Sequence, residues 1–127
     1  MPIKLKRAYE KPSAGDGFRV LVDGLWPRGM KKGELQAGQW MREIAPSASL
    51  RKWYGHRPER WEDFRRKYRA ELAKAPRKSL LDELVARARR ETVTLVFAAR
   101  DGDHSNAAVV AEMVHERLYR RSIASGA

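Results

Sequence analysis

Residues 18–24, Phe-Arg-Val-Leu-Val-Asp-Gly, constrain the fold more than any other stretch of the chain. An apolar run that stops at a charge and a glycine is how a buried strand delivers side chains to the rim of a sheet. Open α/β sheets bind their ligands at rims of that kind. Leu25-Trp26-Pro27-Arg28-Gly29 follows directly, so a large aromatic and a basic corner stand where the strand would end.

Two other segments read as strands. Residues 3–8 alternate Ile3, Leu5 and Ala8 with Lys4, Lys6 and Arg7, the pattern of a half-exposed strand. Residues 92–98 are β-branched and nearly continuously apolar, the pattern of a strand buried on both faces. Between residues 23 and 92 the spacing is helical. It predicts helices over residues 34–44, around 47–54, over roughly 58–75 with Trp61, Phe64, Tyr68 and Leu72 on one stripe, and over 77–90. A last helix is expected over residues 105–119, capped by Asp103, with fraying over 121–127. At 127 residues the whole chain fits one domain. The expected fold is therefore α/β: a short, mostly parallel sheet of about three strands (3–8, 18–23, 92–98) packed by about five helices in Rossmann-like layering. A helical crossover makes the second and third strands parallel neighbours, which brings their carboxyl ends side by side.

Those two ends carry the residues with chemical potential. The first offers Asp23, Trp26 and Arg28, and the second offers Arg100, Asp101, His104 and Asn106 just before a helix start. Arg28 and Arg100 can grip an anion with forked donors, helped by the helix N-terminus. His104 is suited to general acid or base work, oriented by Asp23 or Asp101. His56 can reach the same cleft, and the competing reading is a solvent-facing histidine at a helix end. The competing reading pairs Asp23 with Arg100, or Arg28 with Asp101, as ion pairs that fasten strand ends to loops.

Composition narrows the classes. The net charge is +11, and residues 51–90 hold most of it, with fourteen Lys/Arg against six Asp/Glu. Such a field favours anionic small molecules or nucleic acid. Arg65, Arg66 and Arg69 are the natural contacts for nucleic acid. The absence of cysteine excludes disulfides and thiolate chemistry. No His-x-x-x-His spacing or carboxylate-rich loop points to a metal, and no glycine-rich phosphate loop points to a nucleotide cofactor. Neither a membrane span nor a leader segment is expected, and the chain reads as cytoplasmic.

Several motifs occur together: Leu5-Lys6-Arg7, Asp16-Gly17-x-Arg19-Val20-Leu21-Val22-Asp23, Leu25-Trp26-Pro27-Arg28-Gly29, Ile44-Ala45-Pro46-Ser47, Leu50-Arg51-Lys52-Trp53-Tyr54-Gly55-His56, Trp61-x-x-Phe64 and Ala98-Ala99-Arg100-Asp101. Together they resemble the YeaO-like family of small bacterial proteins, a domain of unknown function, over nearly the whole chain. The resemblance implies a small α/β domain and no established reaction. The family pattern usually carries an arginine where this chain has Gly24; if that arginine contacts a ligand, this chain has lost one anchor, or Lys31 or Lys32 replaces it. The expectations for function are an anion site at the strand ends with acid/base catalysis in view, a nucleic-acid-binding accessory protein, or a protein-interaction module. The sequence leaves the oligomeric state open.

Overall fold

The computed structural model describes residues 2–126, with side chains described as far as Arg120. Four parallel strands form one sheet: β1 (Ile3–Arg7), β2 (Phe18–Leu21), β3 (Gln39–Trp40) and β4 (Val93–Phe97). Their spatial order is β1-β4-β2-β3. The helices are α1 (Lys32–Leu35), α2 (Ala48–Tyr54), α3 (Trp61–Leu72), α4 (Arg77–Ala88) and α5 (Asn106–Gly126). The expected α/β class and the parallel neighbours β2 and β4 are both found. The fraying expected over 121–127 concerns side chains outside the described residues. Among the described residues no helix is long and apolar enough to cross a membrane.

The two faces of the sheet are covered unequally. Val20 and Val22 from the β2 segment and Val93, Leu95 and Phe97 from β4 point to the face that α3, α4 and α5 cover. Phe64, Tyr68 and Leu72 meet them from α3, so three residues of the predicted helical stripe are buried and the fourth, Trp61, is half-buried beside them. The alternate residues Leu21 and Val96 point the other way, where Ala8 and Leu35 complete a much smaller cluster. Beside that cluster the second face is polar. Arg19 and Thr94 are register partners, both buried, and Asp16 lies over them.

One expectation is corrected. Residues 34–44 do not form a helix. Gln36 turns into the left-handed region at φ 50° and ends α1 after one turn. The amides of Gly38 and Met41 then donate to Arg19 and Leu21 carbonyls at 2.7 and 2.8 Å, building β3 onto the edge of β2. Glycine at position 38 lets the chain pass close to the Phe18 ring; a Cβ there would lie 2.6 Å from the ring, which would have to move. A helix containing Gly38 is weak by about 1 kcal/mol relative to alanine, whereas an open strand edge offers unpaired carbonyls. The edge wins, and the helical spacing of Ala37, Trp40, Met41 and Ile44 is incidental.

Ser47 caps α2 by accepting from the Leu50 amide at 3.3 Å, and Gly55 stops it at φ 51°.

Candidate functional site

The carboxyl ends of β2 and β4 are tied together by Asp23. Its Oδ2 accepts from the Ala98 amide at 2.8 Å, continuing the strand pairing with a side chain where the backbone ladder stops. The Trp40 indole donates to the Asp23 carbonyl at 2.7 Å, and Asn106 Nδ2 donates to the Val22 carbonyl at 3.1 Å. Burial pushes the Asp23 carboxyl above its ordinary pKa, with the Ala98 amide and Asn106 opposing that rise. Neither ion pair considered from the sequence forms: Asp23 is not bonded to Arg100, nor Arg28 to Asp101.

Beyond Asp23 the chain turns through residues 24–29. Trp26 is held by its indole N–H, which donates to the Met30 carbonyl at 2.6 Å, and by an edge contact with Trp40 at 5.5 Å. Tyr9, just past β1, donates its hydroxyl to the Arg28 carbonyl at 3.0 Å. Arg7 donates from Nε to the Ala99 carbonyl at 3.0 Å, so the β1 end secures the end of β4.

The β4 side continues into a short turn at Gly102–His104. Asp101 and His104 meet there at 2.6 Å through Nδ1, and the imidazole stands edge-on to Trp61 at 5.0 Å. The bond to His104 lowers the Asp101 pKa. The α5 cap is Ser105, not Asp103: its hydroxyl accepts from the Ala108 amide at 3.1 Å. Asp103 instead donates its amide to Asp101.

A third wall comes from α2. Arg51 and Tyr54 face the strand ends, and His56 follows at φ 57°. Tyr54 stacks on Phe64 with centroids 4.5 Å apart. Burial, reinforced by the negative charges of Asp101 and Glu59, raises the Tyr54 pKa, so its hydroxyl remains a donor at neutral pH. The adjoining segment is held in place by bonds to α3 and α4. Tyr68 donates to the Ile44 carbonyl at 2.6 Å, Arg77 to the Ala45 carbonyl at 2.7 Å, and the Ser47 amide to Glu71 at 2.9 Å.

These walls enclose one cavity of about 730 Å³. Six residues singled out from the sequence line it: Asp23, Trp26, Arg28, His56, His104 and Asn106. Asp101 stands behind His104 and is not part of the lining. Arg100 is exposed and is also absent from it, so the cavity's cations are Arg28 and Arg51. Neither makes an ion pair with a described residue. Arg51, Tyr54 and Tyr9 were not singled out, because nothing local marks them as neighbours of two strand ends. The motif that contains Arg51, Tyr54 and His56 was the available signal. Lys31 and Lys32 do not line the cavity. Arg51 comes within 3.6 Å of where a side chain at Gly24 would begin, so it occupies the space next to that position.

The basic middle segment divides in two. On the outer face of α3, Arg65 pairs with Glu112, Arg69 with Glu116 at 2.7 Å, and Arg66 with Asp63 at 3.2 Å. Lys52, Arg57, Arg60 and Lys67 have no acidic partner among the described residues, and they lie on or next to α2. Arg60 and Lys67 flank the Trp53 ring at 4.9 and 3.8 Å. Among the described residues no three His, Asp or Glu side chains are grouped to hold a metal ion.

A family model described as the inactive DUF488-N3 subclade matches residues 2–127. An uncharacterized protein of Mycobacterium tuberculosis is 40% identical over 115 residues, covering 91% of this chain and 95% of that protein. The uncharacterized protein YeaO of Escherichia coli is 38% identical over 112 residues, covering 88% and 96%. No solved structure matches.

Proposed function

The chain belongs to the YeaO-like proteins of the inactive DUF488-N3 subclade, and from that premise we propose that its strand-end cavity binds an anionic small molecule without turning it over. The observation that carries this reading is the convergence of three separate segments on one cavity whose cations, Arg28 and Arg51, make no ion pair with a described residue. An arginine without a carboxylate partner keeps its forked donors available for phosphate or carboxylate.

Binding is favoured over catalysis by the placement of the acid/base groups. Asp23 uses an oxygen on the Ala98 amide and does not touch His104. His104 is held by an exposed carboxylate and is itself 44% exposed, so the pair stands in solvent rather than in a water-excluded site. The description of the subclade as inactive agrees with this reading.

Calorimetric titration with inorganic pyrophosphate tests it. Saturable binding is expected, weakening as salt is raised. Arg51→Gln and Arg28→Gln should each reduce it while the far-UV circular dichroism is unchanged. Absence of binding at low salt, or equal binding by the double variant, overturns the proposal.

A further inference from the structure

Pyrophosphate would fill only part of the cavity. A volume of about 730 Å³ lies within the range of roughly 300–1,000 Å³ typical of sites for small organic molecules. Much of its lining is aromatic or aliphatic. Tyr9, Leu25 and Trp26 come from the segments after β1 and β2, and Leu25 is 68% exposed.

The two rings are fixed before any ligand arrives. Trp26 is anchored at its indole N–H. Tyr9 is anchored at its hydroxyl, and the Arg7 guanidinium sits 5.4 Å from the ring centroid. Rigid aromatic surface facing a cavity next to unpaired arginines matches a molecule with a flat ring at one end and an anion at the other. We infer that the ligand is a nucleoside 5′-phosphate unit, with its base against Tyr9, Leu25 and Trp26 and its phosphate at Arg51 and Arg28. This rests on the anion-binding reading above and goes beyond it by naming the chemistry of the rest of the ligand.

That unit has two sources, a free nucleotide and the 5′-phosphorylated end of a single strand. The ridge beside the cavity bears on the choice. Lys52 and Trp53 follow Arg51 on α2, and Arg60 and Lys67 flank the Trp53 ring. Cations interleaved with an aromatic ring are how proteins track the backbone of a single strand.

Calorimetry at one fixed salt concentration, with AMP, ribose 5-phosphate and a 5′-phosphorylated hexa-adenylate as probes, tests the inference. AMP is expected to bind about tenfold tighter than ribose 5-phosphate, the gain that one base-stacking contact supplies. Tyr9→Leu should shrink the ratio of the two affinities, even though loss of its hydroxyl bond to the Arg28 carbonyl weakens both. Saturation-transfer NMR on the unaltered protein gives a readout that needs no variant: the adenine protons should receive more saturation than the ribose protons.

Equal affinity for AMP and ribose 5-phosphate, with no saturation on the base, overturns the inference and leaves anion binding standing. Failure of both to bind overturns the two together. Tighter binding of the hexa-adenylate than AMP, lost in Lys52→Gln/Arg60→Gln, supports the inference with a strand end as the source. Equal binding of the two supports it with the free nucleotide as the source.

Discussion

Strand β2 has an aspartate and an arginine near each end, and the two ends use them differently. At the amino end Asp16 and Arg19 are both 5% exposed and bonded to each other at 2.7 Å. Arg19 also donates twice to the Leu35 carbonyl, at 3.0 and 2.7 Å, and Lys6 reaches Asp16 at 3.1 Å. The Ser13 amide and hydroxyl donate to the Asp16 carboxylate, and the Thr94 hydroxyl donates to the Asp16 carbonyl, which completes the closure. At the carboxyl end Asp23 is bonded to an amide and Arg28 to no described side chain. The difference is one of surroundings. The amino end is roofed by the loop before β2 and by α1, so its charges must satisfy one another. The carboxyl end opens between the strand ends and α2, and its cations stay available.

The largest expected effect belongs to the closed end. Arg19→Ala leaves Asp16 and the Leu35 carbonyl buried with fewer partners, which should cost about 3–5 kcal/mol in urea unfolding. Pyrophosphate affinity of the folded fraction should not change. A loss under about 1 kcal/mol would mean that the clasp is not structural.

Acid tests the same end. Burial alone would raise the Asp16 carboxyl, but the Ser13, Lys6 and Arg19 bonds outweigh it and hold its pKa well below the ordinary carboxylate range. Its contribution is therefore fully present above the unfolded pKa of about 3.9 and is lost as pH falls below that value. Melting temperature should drop between pH 5 and pH 3 in the parent protein, and Asp16→Asn, less stable at neutral pH, should drop less over that interval.

The open end should respond in binding and not in stability. Arg51→Gln is expected to weaken pyrophosphate about tenfold and to change unfolding free energy by less than about 0.5 kcal/mol. Arg69→Gln, on the face where α5 supplies the acids, should leave binding unchanged. A reversal of those two results would move the anion site to α3.

The smallest effect is expected at Asp23. Its raised pKa means that the carboxylate discharges at a higher pH than an ordinary aspartate, which removes a negative charge from the cavity. Anion affinity should therefore rise as pH falls through that pKa. Asp23→Asn keeps an acceptor for the Ala98 amide, so it should tighten pyrophosphate severalfold at most, by roughly 1 kcal/mol, and flatten the pH dependence. An unchanged pH profile would place the anion away from Asp23.

Much of the layout was legible in the amino-acid order. The three long strands stand out because alternation and β-branched runs are local properties. The ends of α2 stand out because Ser47 and Gly55 are local signals too. Two of the three misreadings come from contacts between segments remote in the chain. Residues 34–44 have helical spacing, yet the free edge of β2 takes their amides. Asp103 looks like a cap, yet Ser105 is the residue whose hydroxyl reaches the α5 amide. Arg100 stands at a strand end, yet its side chain is not among those lining the cavity, while Arg51 and Tyr54, near in space and remote in the chain, are.

The sequence by itself determined that β2 and β4 would be parallel neighbours with their carboxyl ends together, and that Asp23, Trp26, Arg28, His104 and Asn106 would lie near one another. Periodicity, turn residues and the geometry of a helical crossover suffice for that. Only the tertiary structure decided which charges are neutralised. Arg65 and Arg69 meet Glu112 and Glu116 from 47 positions away, and Arg28 and Arg51 meet no described carboxylate. Partners at that separation are set by how helices and strands pack, and packing leaves no local trace in the order of residues.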